Sequence, residues 1–248
     1  MAATKNLLLI ALLTSAYSAQ AGVTVTSSST SSSSVGTVSL TDTGANSSAI
    51  NNTINYGEWC EYQQCDYLHI GGSADLSYDS NSSSGYLQAF AYTEADSYSL
   101  AGEIPAVDAE VTSSASLSFT LSQPKELFLD WDATNSTGAQ IDYASSLNCG
   151  GASTHTINAT LTGDSYWAMN TVAVGTSVAG GPSASYPIYN GSDASDTDSQ
   201  TILLQPGSYT LEVVVQGYSE NAFNTGQLDY MLTSSWGIID INFHFSDP

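Results

Sequence analysis

The chain contains no arginine and only two lysines among its 248 residues. Phosphate recognition rests on Arg, Lys or helix N-termini, so the composition argues against nucleic-acid binding. Charged residues of either sign make up 10% of the chain, against roughly 25% in ordinary soluble proteins. The surface must therefore be wetted mainly by Ser, Thr, Asn and Gln. The few charges are one-sided: 24 carboxylates give a formal charge of −22. Direct adhesion to an anionic membrane or anionic polysaccharide is repulsive unless a divalent cation bridges the two. An acidic bias from a saline habitat accounts for the same composition.

Cysteine is also scarce, at three residues: Cys60, Cys65 and Cys149. No second Cys or His pair stands at ligand spacing, so a zinc site is disfavoured. In an oxidising compartment a disulfide is expected, and an odd count leaves one thiol over. Cys60 and Cys65 are the local candidates, with Cys149 as a rival partner for either. Long apolar runs are missing as well. The longest, residues 7–13, falls far short of the roughly 20 residues that a spanning helix requires.

That short run has a different meaning. Residues 1–21 read MAATKNLLLIALLTSAYSAQA, with one cation, an apolar stretch, and Ala19-Gln20-Ala21 as a small-x-small cleavage pattern. This is the grammar of a secretory signal. Cleavage after Ala21 leaves residues 22–248 as one domain, whose Ser/Thr-rich start at 26–34 reads as a leader or an edge strand.

What the mature chain does contain is β grammar. Residues 85–93 (GYLQAFAYT) and 115–121 (ASLSFTL) alternate with period two. The terminal segment 239–245 puts Ile239, Ile241, Phe243 and Phe245 on one face and Asp240, Asn242 and His244 on the other. Residues 126–131 after Gln123-Pro124-Lys125, and 208–216 after Pro206-Gly207, each read as the return arm of a hairpin. No sustained 3.6-residue stripe exists; residues 144–148 offer at most one helical turn. The expected fold is all-β: a single antiparallel sandwich, jelly-roll-like. A membrane β-barrel is disfavoured because the segments look shorter than the roughly 9–11 residues such strands require, and the chain ends Ser246-Asp247-Pro248.

Catalytic grammar is absent. His69, His155 and His244 are isolated, and residues 175–180 miss the spacing of a nucleophile elbow. Asp130 and Asp132 flank Trp131 in a strand, so the carboxylates share a face. Paired carboxylates are all that glycoside hydrolysis needs. Asp193, Asp196 and Asp198, in a turn-like stretch, offer hard oxygen ligands suited to calcium, with Asp75, Asp79 and Asn81 as a second cluster. Tyr56, Trp59, Tyr62 and Tyr67 crowd around the cysteine pair. With Trp131 they form a candidate sugar-stacking set, since exposed rings beside Asn, Gln and Asp suit carbohydrate.

Two segments, ASLSFTLSQPKELFLDWDATNS (115–136) and LLQPGSYTLEVVVQG (203–217), together with the signal peptide and the last strand pair, resemble secreted bacterial proteins of the PEP-CTERM or choice-of-anchor kind. The sorting tail of that family does not follow Phe245. The resemblance implies an extracellular matrix or surface protein without catalytic residues. The expected function is thus a secreted, non-enzymatic structural or adhesive protein, meeting extracellular polysaccharide or further copies of itself. A calcium-dependent carbohydrate-binding module and a glycan-active enzyme using paired carboxylates are the alternatives.

Overall fold

The computed structural model describes residues 22–36, 40–44, 47–56, 66–80, 82–99, 104–142, 149–163, 166–169, 184–191, 195–223 and 229–248. These form strands β1 (Val23–Gly36), β2 (Leu40–Gly44), β3 (Ser47–Tyr56), β4 (Asp66–Asp79), β5 (Ser84–Ser99), β6 (Ile104–Leu121) and β7 (Lys125–Asp142). They continue with β8 (Cys149–Gly163), β9 (Tyr166–Met169), β10 (Ala184–Gly191), β11 (Ser195–Leu204), β12 (Gly207–Phe223) and β13 (Asp229–Ser246). A six-stranded sheet runs β10-β8-β12-β6-β1-β2, and a seven-stranded sheet runs β3-β4-β5-β13-β7-β11-β9. Every pairing is antiparallel, and the two sheets pack face to face as a β-sandwich.

The alternation read from the sequence carries through to packing. On β13, Ile239, Ile241, Phe243 and Phe245 are buried, while Asn242 and His244 are exposed. The same holds for Leu117, Phe119 and Leu121 on β6 and for Leu211, Val213 and Val215 on β12. Period-two side chains leave each sheet one apolar face, and the two faces close on each other.

Two expectations about the strands need correction. Both expected hairpins are arches between sheets. β6 pairs with β1 and β12, whereas β7, just beyond the turn at 122–124, pairs with β11 and β13. Likewise β11 lies in one sheet and β12 in the other, across Gln205 and Pro206. The reason is burial: Leu121 and Leu127 are both buried, as are Leu204 and Tyr209, so both arms of each arch face one core. From β6 to β13 every strand lies in the opposite sheet from the one before it, the alternation of a jelly roll. The strands are also long: β6, β7 and β13 have 18 residues each. Ser, Asn and Gly read as breaks are instead carried inside ladders. Strand length therefore gives no argument against a barrel. The separating feature is direction, because the apolar faces point inward between two sheets.

The core changes character along its length. At the end holding the arches, Phe119 lies 5.6 Å from Tyr209 and meets Phe245 edge-on at 4.9 Å. Phe245 meets Phe243 edge-on, and Phe243 stacks on Tyr78. Lys125 is buried here, its Nζ donating to Asp247 Oδ1 at 2.6 Å, which ties the last residues to the β6–β7 arch. Ser122 N donates to the carbonyl of Gly22, seating the first described residue at the same corner.

At the opposite end the interior is polar. Asn221 on β12 donates from Nδ2 to the carbonyl of Ala95 at 2.7 Å and accepts from Thr233 Oγ1 at 2.8 Å. Thr93 and Ser219 share a hydroxyl bond of 2.8 Å, and Ser235 donates to the carbonyl of Thr154 at 2.6 Å. Each of these bonds crosses from one sheet to the other. Buried hydroxyls without partners are costly, so a paired seam favours one relative placement of the sheets over sliding alternatives. β1 contributes to this interior rather than forming a loose leader. It lies between β6 and β2, with Thr30, Ser32 and Ser34 buried and Ser32 Oγ bonded to Ser113 Oγ at 3.1 Å.

Candidate functional site

The outer face of the seven-stranded sheet brings aromatic side chains and carboxylates together. Burying Leu87, Ala89 and Ala91 of β5 on the inside turns Tyr86, Gln88, Phe90 and Tyr92 outward. Burying Ser235, Gly237 and Ile239 of β13 turns Trp236, Ile238 and Asp240 outward beside them. The ladder fixes direct neighbours: Tyr92 with Trp236, Phe90 with Ile238, Gln88 with Asp240, and Tyr86 with Asn242. Directly opposed side chains in such a ladder have Cβ atoms about 5 Å apart. Four apolar side chains thus form one block.

The flanking strands give this block clearance. Opposite Tyr92 and Phe90, β4 carries Gly71 and Ser73. Opposite Trp236 and Ile238, β7 carries Ser136 and Thr134. All four flanking residues are small, so the apolar side chains stand above both neighbouring strands. They remain half-buried and no described element covers them.

A polar row lies directly alongside. Asp75, Gln88, Asp240 and Asp132 follow one another across β4, β5, β13 and β7. Asp240 Oδ1 accepts from Gln88 Nε2 at 2.6 Å and from the Tyr86 hydroxyl at 3.4 Å. Burial, then the charges of Asp240 and Asp75, push the Tyr86 hydroxyl up to about 12. Burial and the hydrogen bond to Glu94 raise Tyr92 above the ordinary tyrosine range. Both phenols therefore stay neutral donors at any physiological pH. Next in order, Asn242 and Asp130 pair across β13 and β7, and His244 stacks on Phe128 with centroids 4.4 Å apart. On the far side of the block, Glu94 Oε1 meets His69 Nδ1 at 3.1 Å. The arrangement is an apolar platform bordered by carboxylates, amides and phenols. One face of a pyranose ring could stack on it while the ring's hydroxyls reach the polar row.

The residues expected from sequence fall elsewhere. Trp131 is not part of an exposed set: it faces the interior with 6% of its surface accessible, between the buried Leu129 and Ala133. The even period of β7 sends it inward and sends Asp130 and Asp132 outward, so the shared face of those two carboxylates is as expected. Tyr56 ends β3 and Tyr67 lies in β4, in register with Asn55. Trp59, Tyr62, Cys60 and Cys65 lie outside the described residues, and Cys149 opens β8. Asp193 is likewise outside them, whereas Asp196 and Asp198 sit exposed on strand β11 rather than on a loop. Asp198 Oδ1 accepts from the Ser199 amide at 2.7 Å. Among the described residues no three His, Cys, Asp or Glu side chains gather where they could hold a metal ion.

The platform was missed although one signal for it exists. Residues 85–93 alternate aromatic side chains with Leu and Ala, so both faces are apolar, and the larger side chains lie on the face that is not buried. No family model matches this sequence, and neither a curated protein nor a solved structure matches it.

Proposed function

We propose that this protein is an exported, non-catalytic glycan-binding protein, adhesive or matrix-forming in role, which docks polysaccharide on the outer face of its seven-stranded sheet. The observation carrying this reading is the block of Phe90, Tyr92, Trp236 and Ile238, uncovered by any described strand, beside the Asp240–Gln88–Tyr86 network. Sugar recognition combines an apolar surface for the ring with fixed polar groups for its hydroxyls, and here the two are adjacent. The leader grammar of residues 1–21 supports export, and the resemblance to secreted surface proteins fits the same role.

A glycan array and pull-down with insoluble polysaccharides, each run with calcium and with chelator, tests the reading. Retention that is lost in Trp236→Ala but kept in a refolded Trp131→Phe supports it. Equal retention by wild type and Trp236→Ala on every glycan counts against it. Amino-terminal sequencing of protein recovered from the medium should begin at Gly22.

A further inference from the structure

We propose that the glycan taken by this face bears free amino groups, a polymer of amino sugars rather than a neutral or anionic polysaccharide. This deepens the function proposed above and rests on it.

The argument is charge complementarity on an apolar platform. Asp240 and Asp132 are direct cross-strand neighbours, and Asp75 and Asp130 lie on the same face. Like charges directly opposed across a ladder repel. Proteins ordinarily relieve this with Lys or Arg, but the chain has no arginine and only two lysines. Lys5 falls in the expected leader, outside the described residues; Lys125 is buried against Asp247. Among the described residues no lysine or arginine lies on this face, so a cationic partner complements it.

The second observation selects the kind of cation. A small inorganic ion would gain nothing from Tyr92, Trp236, Phe90 and Ile238. Two residues along a strand, about 6.7 Å, separate Ile238 from Asp240. That is roughly the size of one sugar ring. A ring resting on the apolar block thus reaches the carboxylate pair with a substituent on its edge. An ammonium there is a charge-assisted donor to Asp240 and Asp132, and one over an indole gains a cation–π contribution. The −22 net charge steers a polycation inward and repels an anionic chain.

Calorimetry with the full mature chain tests this, using β-1,4-linked glucosamine hexamer and its fully N-acetylated counterpart across a sodium chloride series. The expected result is a preference of about tenfold or more for the free amine at low salt, shrinking steadily as salt rises. Asp240→Asn and Asp132→Asn should each reduce affinity for the amine several-fold more than they reduce affinity for the acetylated hexamer. Asp132 is exposed, and the salt series needs no variant, so misfolding cannot decide the outcome. Equal affinity for the two hexamers, or a preference insensitive to salt and to both substitutions, overturns the inference. In that outcome binding of other glycans through Trp236 still leaves the broader reading standing. Binding of no glycan at all ends both.

Discussion

Asn221→Asp probes the polar seam with almost no change of shape. In the native chain Asn221 is 1% exposed, donating to the Ala95 carbonyl and accepting from Thr233. A carboxylate at this position keeps the acceptor for Thr233 but loses the donor, so two oxygens face each other without a hydrogen. Protonating the carboxyl restores the donor. The cost of the charge at pH 7 is therefore capped by the cost of protonation, about 1.36 kcal/mol for each of roughly 3 pH units, or about 4 kcal/mol. The sign follows from burial. The introduced carboxyl has a raised folded-state pKa, so stability is retained below the ordinary carboxylate range and lost as pH rises through the folded value. Urea unfolding of wild type and variant at pH 4, 5, 6 and 7 should show a stability difference that grows by up to about 1.4 kcal/mol per pH unit. It should start near 1 kcal/mol at the acid end, the worth of an altered hydrogen bond. A difference that stays flat with pH would refute the reasoning, because the carboxylate would then be solvated and the sheets open at that end.

Other outcomes follow from the same packing. Phe119→Ala removes the ring between Tyr209 and Phe245 and should cost about 3–5 kcal/mol, read by denaturant melts. Gly85→Ala would place a methyl 2.5 Å from the Ser77 carbonyl and against the Phe243 ring, and should cost about 1–3 kcal/mol of stability with secondary structure retained by circular dichroism. Ultraviolet titration should find Tyr86 ionising near pH 12 together with Tyr218, and Tyr86→Phe should lower the amplitude of that step by one tyrosine. Because its folded pKa is raised, the stability it lends is full below pH ~10 and fades as pH climbs toward the folded value. The native protein should resist trypsin at Lys125, which is 6% exposed, with cleavage appearing only as unfolding begins, as seen by gel after a urea pulse.

How much of this was legible in the sequence follows from the range of each interaction. Period-two alternation is local, so β6, β12 and β13 and their buried faces could be read from the chain, and so could the sandwich class. An arch and a hairpin share one local grammar of strand, turn and strand. Only the distant partners, β1 and β12 for β6 against β11 and β13 for β7, separate them. Trp131 and Trp236 are both aromatic residues in strands. Their fates diverge because β7 turns the first toward the opposing sheet while β13 turns the second away from it.

The amino-acid sequence alone determined the charge, the want of cations and the layered β character, since each is a property of residues counted or read in order. The tertiary structure decided which of two apolar faces on β5 would be covered and which carboxylates would stand opposed. It also set the hydroxyls of Thr93, Ser219 and Thr233 inside. Those outcomes depend on pairing between strands more than a hundred residues apart, Gln88 with Asp240 among them, where no local pattern reaches.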